Sequence, residues 1–140
     1  MTLVKKAASI IAVIALAACG SMGMSGGKSV NVNLSGTEEV PPVSTSARGS
    51  GSFTVGADGA VKGSVSTTGV QGTMAHIHRG AKGQNGPVVI PLTKSGDTYA
   101  APDGAKLSEA DQSAFKAGNL YVNVHSAANK GGEVRGQLQP

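Results

Sequence analysis

From residue 29 onward the chain alternates. Val30, Val32 and Leu34 are apolar, and Asn31, Asn33 and Ser35 beside them are polar, the period of two that a half-buried strand requires. Comparable short segments run from Ser50 to Val55, Val61 to Ser66, Thr73 to Arg79, Val88 to Leu92, Asn119 to His125 and Glu133 to Leu138, with Thr98 to Ala101 as a shorter candidate. Turn residues separate them: Gly36 and Pro41-Pro42, Ala57-Asp58-Gly59-Ala60, Asn85-Gly86-Pro87, and Ser95-Gly96-Asp97. One stretch reads as helix, with Ser108 as N-cap, Asp111 at the third position, Lys116 in the last turn and Gly118 as the stop. Seven or eight short strands and a single helix predict an antiparallel sandwich or barrel and exclude a βαβ architecture.

Composition narrows the picture further. The 21 Gly have no period, which excludes collagen, and 14% charged residues argue against charge-driven disorder. With 3% aromatics and no Trp, the core must be built mainly from Val, Ile, Leu and Ala. One Cys and three His exclude zinc fingers, thiolate clusters and internal disulfides. The net charge of +4 includes Lys5 and Lys6, and the remaining basic residues are dispersed, so no nucleic-acid partner is expected. There is no Gly-x-Ser-x-Gly elbow, no phosphate-binding loop and no glycosidase-like carboxylate pair.

The front of the chain reads as an address. Lys5 and Lys6 precede an apolar run from Ala7 to Ala18, too short to span a bilayer, and Leu16-Ala17-Ala18-Cys19-Gly20 follows. This resembles the lipobox of bacterial lipoproteins, in which the Cys is lipidated and the peptide before it is removed. The resemblance implies a signal peptide over 1–18, lipid on Cys19, and anchoring in the cell envelope. Gly20 lacks the Asp that commonly retains lipoproteins at an inner membrane, which points to the outer membrane, facing the periplasm. Residues 19–28 then form the lipidated Cys and a Gly/Ser linker, and the folded domain occupies 29–140. Met22 and Met24 offer thioethers in that linker and are read as linker.

All three His fall in expected strands. His76 and His78 share one face, with Ile77 on the other. Tyr121, Asn123 and His125 share a face opposite Val122 and Val124, which places His125 outward. If these strands are neighbours, three neutral imidazoles meet on one side of the sheet, the ligand count of an open metal site. Imidazole suits copper, zinc, nickel and iron, and copper(II) heads the affinity order. The competing account is three surface imidazoles bonded to Ser, Thr and Asn neighbours.

Five blocks in order, Leu34 to Val43, Ala75 to Gly80, Asn85 to Val89, Gly118 to Ser126 and Gly131 to Leu138, resemble the CHRD domain. That module is named after chordin, an extracellular antagonist of growth factors, and is widespread in bacterial exported proteins. The resemblance covers about residues 30–139. A weaker one is to copper–zinc superoxide dismutase, a Greek-key β-sandwich. It implies His76, His78 and His125 as copper ligands and Arg135, in Gly-Gly-Glu-Val-Arg-Gly, as a guide for the superoxide anion. The chain departs from that family in having no bridging His, no zinc cluster and no disulfide, so one zinc-free copper ion is expected. Arg135 has a structural alternative, a salt bridge to Glu133. Arg79 is read as structural. Asn123 is expected beside the metal ligands. Pro41-Pro42 are expected to stiffen the exit from an edge strand, with Glu38 and Glu39 solvated and a ligand role as the alternative.

The expected fold is therefore all-β: an antiparallel Greek-key β-sandwich, superoxide dismutase-like or immunoglobulin-like, with seven or eight strands and one short helix. The expected function is an envelope-anchored copper-binding lipoprotein, with zinc-free superoxide dismutation as its candidate chemistry. The alternatives are a non-catalytic module binding protein or polymer, and a copper carrier. The sequence names no protein partner.

Overall fold

The computed structural model describes residues 26–140. The signal peptide expected over 1–18, Cys19 and most of the expected linker lie outside the described residues. Nine strands form: β1 (Lys28–Ser35), β2 (Arg48–Val55), β3 (Val61–Thr68), β4 (Gly72–Arg79), β5 (Val88–Pro91), β6 (Thr93–Ser95), β7 (Thr98–Ala100), β8 (Leu120–Ser126) and β9 (Val134–Leu138). One helix, α1, spans Glu109–Lys116.

The strands make one antiparallel sheet in the order β5-β4-β8-β9-β1-β2-β3-β7-β6. β1, β2 and β3 run as a meander, turning between β2 and β3 at Gly59, whose φ of +88° suits glycine. The chain then crosses to the far side of the order to start β4. The two ends of the order are β5 and β6, which only Leu92 separates in sequence. The Leu92 N–H bonds the Ala75 carbonyl at 2.9 Å, so this segment joins the two edges and nearly closes the sheet into a barrel. The fold is thus all-β and antiparallel with one short helix, as the alternation predicts, in one continuous sheet of nine strands. The additional strand is Thr93–Ser95. All three of its residues are exposed, so it carries no apolar alternation by which to be read.

The closed side of the sheet holds the core. Leu120, Val122 and Val124 of β8 point into it with Ala75 and Ile77 of β4, Val30, Val32 and Leu34 of β1, and Phe53 and Val65. On α1, Ser108 accepts from the Asp111 N–H at 3.1 Å and donates to its carboxylate at 2.8 Å. Asp111 also takes the Arg79 guanidinium at 3.1 Å, which ties the helix to the end of β4 and gives Arg79 its structural role. β1 is an interior strand between β2 and β9, so Pro41-Pro42 do not leave an edge.

The second face of β4, β8 and β9 is polar, yet all seven residues of β8 are buried. Loops fold back over that face, and the outward position expected for His125 is a covered one, 9% exposed.

Candidate metal centre

β4 and β8 are adjacent and antiparallel, with Met74 opposite His125, His76 opposite Asn123 and His78 opposite Tyr121. Alternation puts His76 and His78 on the same face as Tyr121, Asn123 and His125. The three imidazoles meet there. Ring centroids are 4.9 Å apart for His76 and His125, 5.5 Å for His76 and His78, and 6.1 Å for His78 and His125. Their ligand nitrogens all lie within 4.8 Å of one another.

Backbone carbonyls fix which nitrogens are bare. His78 Nδ1 lies 3.0 Å from the Gly86 carbonyl and His125 Nδ1 lies 2.8 Å from that of Lys130. A carbonyl only accepts, so both Nδ1 atoms carry the proton and both Nε2 atoms present lone pairs. His78 Nε2 is buried with no hydrogen-bond partner. His76 Nδ1 sits 3.0 Å from His125 Nε2. Burial, then repulsion from His125 and His78, hold His76 below the ordinary imidazole range. Burial lowers His78 as well, against the opposing effect of the Gly86 and Asn123 contacts. Neutral, pre-oriented imidazoles with converging lone pairs are what a metal ion requires. The cluster offers three nitrogens and no anionic ligand, and half-buried His76 marks its solvent side.

A stack supports the ligands. The Tyr121 ring lies parallel to His78, centroids 4.8 Å apart, and the Arg135 guanidinium covers Tyr121 at 3.5 Å from the ring centroid. The Gly86 N–H donates to the Tyr121 hydroxyl at 3.1 Å. Arg135 is 1% exposed and donates to the carbonyls of Ala81 and Gln84 and to the side chains of Asn85 and Gln137. It thereby holds the 80–87 loop, whose Gly86 carbonyl orients His78. Burial lowers its pKa, with Tyr121 and the Glu39 and Glu38 carboxyls acting the other way. Arg135 makes no salt bridge to Glu133. Glu133 instead accepts from Thr45, Ser126 and Asn129. Burial pushes the Glu133 carboxyl up, and these donors outweigh it and leave it below its ordinary value.

The model of the CHRD domain family matches residues 30–138. The chain belongs to the CHRD domain family. No curated protein and no solved structure matches it. In this CHRD domain the sequence blocks converge on one face. They supply Glu39, the His76–His78 pair, the Gly86 carbonyl, the Tyr121–Asn123–His125 row, and Gly132 with Arg135.

Asn123 lies 3% exposed between the Glu39 carboxyl and the His78 ring, and donates to the Gly131 carbonyl at 3.3 Å. The solvated Glu pair expected from sequence is corrected in part. Glu38 pairs with Lys82 at 3.4 Å, whereas Glu39 is 4% exposed, with one carboxyl oxygen lacking a partner. The loops fold over the polar face and take Glu39 with them, which Pro41-Pro42 do not reveal. Gly132 is required here. Its φ is +125°, and a Cβ would strike the Asn123 amide and the Glu39 carboxyl. Tyr121 was legible in the alternation as a member of this face, but its stacking was not. The Gly86 and Lys130 carbonyls have no sequence signal, because any residue supplies one.

Burial raises Glu39 to about 7, against the opposing effects of Asn123, Arg135 and the Val40 backbone. The native state therefore keeps a proton that the unfolded chain releases above its ordinary value of 4.5. Stability drains away as pH rises from that value to about 7, by about 3 kcal/mol in all. Glu39→Gln removes the effect. In urea unfolding of the metal-free protein, the variant should gain on the parent by about 2.5 kcal/mol between pH 5 and pH 8. A difference that stays constant across that range would show Glu39 to be ionised in the fold.

Proposed function

We propose that this CHRD domain is a copper-binding module of the bacterial cell envelope, holding one ion through His76, His78 and His125. The observation that carries the reading is the convergence of three imidazole nitrogens, two of them on rings oriented by backbone carbonyls. An all-nitrogen, uncharged set suits copper(II), which heads the divalent affinity order, and zinc is the weaker competitor. Lipid on Cys19 would tether the domain at the outer membrane, facing the periplasm, with membrane as its partner. A three-ligand site leaves a position for water or a small anion such as superoxide. Arg135 serves that anion poorly as a guide, because its guanidinium is buried beneath the 80–87 loop and hydrogen-bonded there. Its role is to position Tyr121 and His78. The reading therefore rests on binding, and superoxide dismutation is the activity to assay on the same sample.

The test loads the metal-free full chain with one equivalent of copper(II). The expected result is an axial paramagnetic resonance spectrum with nitrogen coupling and retention against an equivalent of zinc. A spectrum of loosely held copper would refute the site and leave a module that binds protein or polymer.

A further inference from the structure

Two large apolar side chains are well exposed among the described residues, Met74 at 51% and Val88 at 50%. Each stands opposite a site histidine, Met74 across from His125 and Val88 across from His78. Val88 is a hydrocarbon and has nothing to offer an ion. Met74 carries a thioether. In the pairing of β4 with β8 the irregularity falls between Gly72 and Met74, and the register is continuous from Met74 to Arg79, so Met74, His76 and His78 share one face; the shift between Ile77 and His78 belongs to the pairing with β5.

Distance allows a contact. Directly opposed residues of an antiparallel pair have Cβ atoms about 4.5–5.5 Å apart. Three rotatable bonds let the Met sulfur swing over its cross-strand partner. The direction also fits. His78 and His125 are nearly covered, and the cluster opens beside half-buried His76, next to Met74 along the strand. Imidazole serves both copper oxidation states, whereas thioether sulfur selects copper(I).

We propose that Met74 is a fourth, thioether ligand that enables the His76–His78–His125 site to hold copper(I) as well as copper(II). The proposal rests on the copper reading above. It deepens that reading by naming the oxidation state in which the site departs from a three-His centre. An exposed Met packs little of its side chain into the core, so Met74→Leu, nearly equal in volume, leaves the fold intact.

The experiment titrates the metal-free full chain with copper(I) against a copper(I) chelator, anaerobically, and with copper(II) in a second series. X-ray absorption of the copper(I) samples reports sulfur in the coordination shell. Met74→Leu should weaken copper(I) by about tenfold or more, at least what loss of an outer partner of a ligand typically costs, and should remove the sulfur. Copper(II) affinity should stay close to the parent's. The Met22→Leu/Met24→Leu double variant should behave as the parent. Unchanged copper(I) affinity in Met74→Leu, or sulfur that persists there and vanishes in the double variant, would overturn the assignment while leaving the three-His site standing. Failure of the parent chain to bind copper in either state would instead overturn the copper reading itself.

Discussion

His76→Ala is expected to weaken copper(II) binding by roughly 100-fold or more while the protein stays folded. The size follows from coordination. Losing an outer partner of a ligand typically costs about 10- to 100-fold, and losing one of three ligands exceeds that. The retained fold follows from position. His76 is only half-buried, and its side-chain hydrogen bond is the one to His125 Nε2, a net contribution of about 1 kcal/mol. His78→Ala and His125→Ala should weaken binding as well, but each tests two things at once. The His78 ring stacks on Tyr121 and bonds the Gly86 carbonyl, and His125 bonds that of Lys130. His76 is therefore the decisive variant, read by competition titration alongside urea unfolding of the metal-free protein. Undiminished affinity in a folded His76→Ala protein would remove the three-His site.

The largest stability effect is expected at Arg135. Truncation to Ala should cost about 3–4 kcal/mol, a large share of the roughly 5–15 kcal/mol that holds an ordinary domain together. Four contributions add. The Ala81 and Gln84 carbonyls and the Asn85 amide oxygen lose a charged donor under a closed loop. Gln137 loses one as well, though it keeps its own bonds to the Gly80 and Gly118 carbonyls. The Tyr121 face loses its cation, worth about 1–2 kcal/mol where water is excluded. The space left by a large buried side chain adds a cavity cost. Recovering the hydration of a buried charge offsets part of the sum, since no carboxylate lies within salt-bridge range among the described residues. Arg135→Lys keeps the charge without the planar fork and should recover little. Because the loop it holds carries Gly86, Arg135→Lys should also weaken copper binding without touching a ligand. Urea unfolding of both variants checks the prediction. A loss below about 1 kcal/mol in Arg135→Ala would show that the loop holds itself.

Much of this architecture is legible in the amino-acid sequence. The alternation in Val30-Asn31-Val32-Asn33-Leu34 placed β1, Asp58-Gly59 placed the first hairpin, and Ser108 with Asp111 placed the helix start. These signals are local: a side-chain period, a left-handed turn residue and a capping oxygen each act within a few residues. The spacing of His76 and His78 put both rings on one face for the same reason. The Thr93–Ser95 strand was not legible. It is exposed and polar, and it pairs only because Leu92 carries the chain across to β7.

Legible from the chain alone are eight of the nine strands, the family, and the side of each of those strands on which a chemically active residue lies. All of these are fixed by neighbours along the chain. Only the tertiary structure decided that β4 and β8 adjoin, that loops close over their polar face, and that Glu39 and Arg135 are consequently buried. It also decided which imidazole nitrogens are bare, since that depends on carbonyls of Gly86 and Lys130 whose side chains carry no signal. Burial and hydrogen bonding are properties of what packs against a residue, and those partners come from segments far apart in the chain: Arg135 meets Ala81 across 54 positions, and Glu133 meets Thr45 across 88.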